Sequence, residues 1–195
     1  GCPRSSSLTA HPTTSWPVTA WTPQGSQLPL ARRLAGVTAA PRWTDRYERL
    51  RFTDDGDGVW IITLSNPGRM NATDAAMHAE LATVFADIAR DDSVRCVLVT
   101  GDDGAFSAGG DLDWIGTQVG DHAQTMRVMR EAGDIVRTMI DCDTPIVSAI
   151  NGVAVGAGLA VALMADISVI DRDTRLTDGH IRLGVTAGDH AVAIW

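Results

Sequence analysis

The sequence predicts an α/β fold with a mostly parallel sheet, and two observations carry that prediction. From Arg46 onward, apolar runs of strand length alternate with segments whose apolar residues recur at helical spacing. Two glycine-rich turns, moreover, each follow a strand and open a helix.

The first 43 residues stand apart. Six of the eight prolines lie in the first 41 positions, interleaved with Ser, Thr and Gly and without hydrophobic periodicity. Residues 1 to 43 therefore read as a disordered N-terminal extension that cannot fill a core. Its four Arg without Asp or Glu fit an organellar leader or a tail of no function, and the second reading is preferred. Residues 44 to 195 are expected to form one domain, which a chain that is 45% hydrophobic can fill.

Tyr47 to Thr53 and Val59 to Ser65 read as strands joined across Asp54-Asp55-Gly56-Asp57-Gly58, a hairpin turn composition. Asn66-Pro67-Gly68 ends the second strand. A helix follows from Thr73 to Asp91, with Met77, Leu81, Val84, Phe85 and Ile88 on one face and Thr73 as its cap. Val94 to Thr100 is a nearly continuous apolar run, as a strand buried on both faces would be. Asp121 to Asp141 is the next helix, with Met126, Met129, Val136 and Met139 facing inward. Pro145 opens a strand at Ile146 to Ile150, a helix runs from Gly156 to about Ala165, and Ile167 to Ile170 is a further strand.

The net charge of −8 divides unevenly, +4 on the extension and −12 on the rest. All sixteen basic residues are Arg, and no basic face emerges, which argues against a nucleic-acid partner. No run of about 18 apolar residues offers a membrane span. Cys2, Cys96 and Cys142 have neither metal spacing nor an even framework, so reduced thiols in a cytoplasmic protein are expected, with no metal site. His122 and His190 lack a chemical context and read as surface residues.

The two turns are Phe106-Ser107-Ala108-Gly109-Gly110-Asp111-Leu112 and Asn151-Gly152-Val153-Ala154-Val155-Gly156-Ala157-Gly158. Small residues there allow close approach of backbone to a ligand. The first amides of a helix lack internal partners and lie at its positive end, so such a turn can hold an anion or a developing oxyanion. Two of them could grip one oxygen from two sides. The alternative is that these glycines only relieve strand-to-helix turns.

Together with Asn66-Pro67, Asn71-Ala72, Pro145 to Gly152, Gly156-Ala157-Gly158, Asp166-Ile167 and Gly184-Val185, these segments resemble the enoyl-CoA hydratase/isomerase (crotonase) superfamily, from about Val59 to Trp195. The resemblance implies a spiral of ββα repeats, an acyl-CoA thioester substrate, no cofactor beyond the CoA of that substrate, and an enolate-like intermediate whose oxygen is held by two backbone amides. Those amides map to Gly110 and Ala157. CoA contacts map to the loop around Asn71 and Ala72 and to the segment from Ala108 to Asp111, and Arg69 is placed to reach a phosphate. The resemblance also implies C-terminal helices that complete the acyl pocket and a trimer interface. The chain stops at Trp195, so those helices are expected to be missing, and a homotrimer or hexamer is expected of the full-length protein.

The catalytic side chains depart from the family pattern. Hydratases carry two glutamates at the positions of Ala160 and His180, and Ala160 offers neither acid nor base. His180 has Asp189 nine residues on, and an Asp accepting from one imidazole nitrogen would fix the tautomer and raise the basicity of the other. The same spacing occurs in superfamily members of the 6-oxocamphor hydrolase type, which cleave a carbon–carbon bond between two ketones. The resemblance thus implies an enzyme on acyl-CoA, a hydratase, isomerase or hydrolase, using Gly110, Ala157, His180 and Asp189, with a β-diketone hydrolase and a non-catalytic scaffold as alternatives.

Overall fold

The computed structural model describes residues 42–194, and most of the expected disordered extension lies outside them. The first described element is a 3₁₀ turn at Arg42–Arg46, which spans the expected boundary at residue 44. Trp43 anchors it. Its ring stands edge-on to Phe52 at 5.3 Å and to Tyr47 at 6.0 Å, and its Nε1 donates to Asp91 at 2.9 Å. An indole that finds both apolar cover and a hydrogen-bond acceptor is held by packing rather than left in solvent.

Strand β1 (Leu50–Gly56) and strand β2 (Val59–Leu64) form the expected antiparallel hairpin, in the register Leu50↔Leu64 and Thr53↔Ile61. The turn between them needs left-handed backbone at Gly56, Asp57 and Gly58, conformations that Gly and Asp tolerate best. Along β2 every second side chain, Trp60, Ile62 and Leu64, turns into the core.

Helix α1 (Ala75–Ile88) follows, one residue later than expected from a Thr73 cap. Asp74 caps it instead, its carboxylate accepting from the Met77 amide at 2.9 Å. Thr73 is fully buried and forms a bridge to Gly110. The α1 face carrying Met77, Leu81, Val84, Phe85 and Ile88 is buried as its periodicity requires, and burying each such side chain stabilises the fold by about 1.5–3 kcal/mol.

Strand β3 (Cys96–Gly101) pairs parallel to β2, with Ile62 opposite Val99. Only Val97, Val99 and Gly101 are buried along it, so the expectation of burial on both faces is not met. After β3 come a short helix α2 (Leu112–Thr117) and the long helix α3 (His122–Ile140), which packs on α1. The buried stripe of α3 is Val128, Ala132, Ile135 and Met139, whereas Met126 and Met129 are exposed, so the expected inward face is rotated.

Strand β4 (Ile146–Ile150) pairs parallel to β3, and strand β6 (Ile167–Ile170) pairs parallel to β4, completing a five-stranded sheet in the order β1-β2-β3-β4-β6. Between these two strands lie the two-residue strand β5 (Ala154–Val155) and helix α4 (Gly156–Met164). Strand β7 (Leu176–Thr177) pairs with β5, as Val155↔Thr177, in a second sheet of two strands. A short helix α5 (His180–Leu183) and a 3₁₀ turn (His190–Ala193) end the described chain. The β5–β7 pair places β7, and hence Asp178-Gly179-His180, beside the start of α4. Among the described residues no helix is long and apolar enough to cross a membrane, and Cys96 and Cys142 are free thiols.

Candidate active site

The two glycine-rich turns lie against each other. The Val155 amide donates to Ser107 O at 2.9 Å and the Ser107 amide to Val153 O at 3.0 Å, a short parallel bridge that locks β5 to the first turn. Gly158 is what allows the contact, since a Cβ there would stand 2.3 Å from Ser107 Cβ. A carbon added at Gly156, whose φ is +55°, would be 3.8 Å from Gly110 N. Thr73 straddles the other side, its amide donating to Gly109 O at 2.7 Å and its carbonyl accepting from the Asp111 amide at 2.9 Å.

These bonds use the groups on either side of Gly110 but leave its own N–H without a partner among the described residues. Ala157 is the second residue of α4, whose preceding residue Val155 supplies no side-chain cap. Its amide is one of the first-turn donors that a helix cannot satisfy internally. Two unclaimed N–H groups on adjoining turns, one of them at the positive end of a helix, form an arrangement that can bind an oxyanion.

His180 sits at the first position of α5 and is mostly buried. Its Nε2 is 2.9 Å from Asp189 Oδ2, as the nine-residue spacing anticipated. Its Nδ1 is in close contact with Asp178 Oδ1, a partner the sequence reading did not name. Burial alone would lower the pKa of His180, but the two carboxylates outweigh it and the net shift is upward. For Asp189 burial acts to raise the pKa, yet the adjoining His190 and His180 rings and the Ala191 amide bring it well below the usual carboxylate range. Asp178 is lowered for the same reason, its contacts with His180 overcoming desolvation. A ring held at both nitrogens by carboxylates has the environment of an imidazolium.

Other predicted residues serve the loop itself. Asn71 is buried with φ +54°, and its side chain donates to Asp102 O at 2.8 Å and Ala105 O at 2.9 Å while accepting from the Asn66 amide. Ala72 O accepts from Asn66 Nδ2 at 2.7 Å, and the Ala108 amide donates to Met70 O at 2.9 Å. Asp111 caps α2 by accepting from the Asp113 and Trp114 amides. Arg69 is engaged by Asp111 at 3.2 Å and Asp113 at 3.0 Å on the surface. Ala160 is fully buried in α4.

Comparison with known proteins decides the lineage. The model of the enoyl-CoA hydratase/isomerase family matches residues 54–195. The chain belongs to the enoyl-CoA hydratase/isomerase family. It is 36% identical over 130 residues to 1,2-epoxyphenylacetyl-CoA isomerase of Escherichia coli K12, covering 66% of this chain and 50% of that protein. It is 30% identical over 134 residues to enoyl-CoA hydratase AFT3-1 of Alternaria alternata, covering 68% and 44%. Among solved structures, an enoyl-CoA hydratase/isomerase from Mycobacterium paratuberculosis superposes with a TM-score of 0.72 at 32% identity, over 75% of this chain and 59% of that one. The chain spans about half the length of the curated relatives it matches.

In this family member the mixed sheet and the adjoining turns follow the expected architecture, but the histidines do not all lie where expected. His122 is exposed, as expected, whereas His190 is 5% exposed and packs edge-on to His180 and His78. His78 on α1 is buried too, with Nδ1 2.8 Å from Glu131 of α3. The burial of His190 does not follow from local sequence, whereas His78 stands at helical spacing before Leu81 and Phe85, on the buried face of α1. The Asp178-Gly179-His180 spacing did carry a signal, since an Asp two residues before a His in a turn can reach its ring.

Proposed function

We propose that this chain is the catalytic part of an acyl-CoA-processing enzyme of hydratase or isomerase type. The Gly110 and Ala157 amides hold the thioester oxygen as it gains enolate charge, and His180 transfers the proton. The observation that carries this reading is the pair of unclaimed amides on turns that share a bridge, with His180 brought to the same region by the β5–β7 pairing. CoA then runs along the Met70–Ala72 loop and the Ala108 turn, and its recognition rests on backbone groups, because the Asn71 side chain is already spent on the fold. Arg69 reaches a phosphate only by exchanging it for its carboxylate partners. The full-length enzyme assembles as a trimer or hexamer in this reading.

The proton chemistry departs from two-glutamate hydration, because Ala160 supplies nothing. Asp189 is the more buried carboxylate and fixes Nε2, whereas Asp178 is more exposed and yields to a substrate or water, so Nδ1 is the nitrogen that exchanges the proton. A second reading, hydrolysis of a carbon–carbon bond between two carbonyls, draws on the same feature. A carboxylate-backed imidazole suits water activation, and the oxyanion turns would accept a ketone oxygen equally well.

A panel of 2-enoyl-CoA thioesters and a cyclic β-diketone tests the choice. Loss of the conjugated-thioester absorbance, or migration of the double bond, is expected with the thioesters. Turnover of the diketone alone would favour the second reading, and binding without turnover of either would leave only a scaffold.

A further inference from the structure

We infer that Asp178 is the proton relay of this site, carrying the proton that His180 takes from a substrate carbon out to solvent. The inference rests on the acyl-CoA reading and adds to it the route by which the site exchanges protons with water. The two carboxylates on the His180 ring are held differently. Asp189 is tied at both oxygens: Oδ2 lies 2.9 Å from His180 Nε2, and Oδ1 accepts from the Ala191 amide at 2.9 Å and lies 2.9 Å from His190 Nδ1. Its side chain is 13% exposed, as is that of His180. Asp178 uses one oxygen alone. Its Oδ1 accepts from the His180 amide at 3.2 Å and contacts Nδ1, while Oδ2 has no partner among the described residues and the side chain is 29% exposed.

These differences divide the work. The carboxylate tied at both oxygens fixes the ring, and the one with an open oxygen connects it to water. Of the groups around the ring, Asp189, His190 with its ring 6.4 Å away, and Asp178, only Asp178 both touches a ring nitrogen and keeps an oxygen free. Ala160 supplies no second group that could take the proton. The steps balance with the groups at hand. The C–H bond at the thioester α-carbon breaks, its electron pair enters the enolate, and the proton forms an N–H bond at Nδ1. Asp178, displaced from Nδ1 while the substrate carbon reacts there, returns to take the proton as an O–H and gives it to water, leaving a neutral ring and a carboxylate. Burial acts to raise the pKa of Asp178, but its contacts with His180 hold it below the usual carboxylate range, so the proton is passed on rather than stored.

Exchange of the α-protons of butyryl-CoA in D₂O, followed by NMR on the full chain, reads this path, because deuterium enters only if the abstracted proton is lost before it returns to carbon. In the parent the rate is expected to be independent of buffer concentration. Asp178→Asn keeps an oxygen that can accept from Nδ1 but cannot carry a proton onward, so exchange should fall by about 10²-fold, the low end for a positioned acid–base group. Added imidazole at constant pD takes the proton directly and should restore exchange in proportion to its concentration. Asp178→Glu should keep most of the parent's rate. A parent rate that climbs with buffer concentration overturns the inference, and does so even if a variant misfolds. So does parent-like exchange in Asp178→Asn, or a loss that imidazole does not restore, which marks the carboxylate as a structural partner alone; in either case the acyl-CoA reading stands. A parent that binds butyryl-CoA and exchanges nothing removes the acyl-CoA reading and this inference together.

Discussion

Replacing Gly110 by proline is expected to lower turnover of the best thioester substrate by about 10²- to 10³-fold, the loss seen when one oxyanion donor is removed. The substitution deletes an N–H that has no structural partner, so the ladder bonds on either side of it, Thr73 to Gly109 and Asp111 to Thr73, remain available. It also adds a Cβ that would meet the Ile115 side chain at 2.7 Å, the far end of a flexible group. Gly110→Ala adds the same carbon and keeps the donor. Comparison of the two separates lost packing from lost oxyanion stabilisation. A thermal melt checks that both variants fold, and KM for CoA thioesters should change much less than kcat. Full turnover in a folded Gly110→Pro chain would remove this amide from the mechanism.

His180→Ala is expected to cost about 10²- to 10⁴-fold in turnover, the range of general acid–base catalysis, with a modest change in affinity. The pH dependence gives a sharper reading. The two carboxylates raise the pKa of His180 against the lowering effect of burial, so the neutral ring is reached only at a pH above its ordinary value of about 6.5. If the neutral imidazole is the base, kcat/KM rises with pH through that elevated value. Asp189→Asn removes one of the two stabilising charges and should move the rise toward lower pH, with a smaller loss of rate than His180→Ala. A profile measured from acid to mildly alkaline pH checks both statements. The same rate and profile in His180→Ala would assign the proton to another group.

The strands and long helices were legible because their apolar residues recur at the period of the element they form. Phe85 and Ile88 on α1, and Ile146 and Ile150 on β4, are buried as that period requires. Local ambiguity produced the small errors. Thr73 and Asp74 are both good cap residues, and the choice between them depends on the tertiary bridge from Thr73 to Gly110. Met126 and Met129 are apolar enough to read as core, but the packing of α3 on α1 selects Val128, Ala132 and Ile135 instead.

The candidate site divides in the same way. The turns announced themselves through glycine spacing, and the His180–Asp189 distance agrees with their separation along the chain. The burial of His190 was not legible, while that of His78 accords with its helical spacing before Leu81 and Phe85. His190 meets rings remote in sequence, His78 of α1 among them, and no periodicity spans such contacts. Asn71 shows the converse. It belongs to the family pattern, yet in this structure its side chain holds the loop together rather than facing outward.

Exchange of the thioester α-protons with solvent deuterium is the measurement that bears most directly on enolate stabilisation by the two amides. A saturated acyl-CoA incubated with the chain in D₂O and followed by NMR isolates that step from hydration or bond cleavage. Deuterium should enter at the carbon next to the thioester well above the uncatalysed rate, and Gly110→Pro should suppress it by about the same factor as turnover. A bound thioester whose α-protons exchange no faster than in buffer would contradict the account.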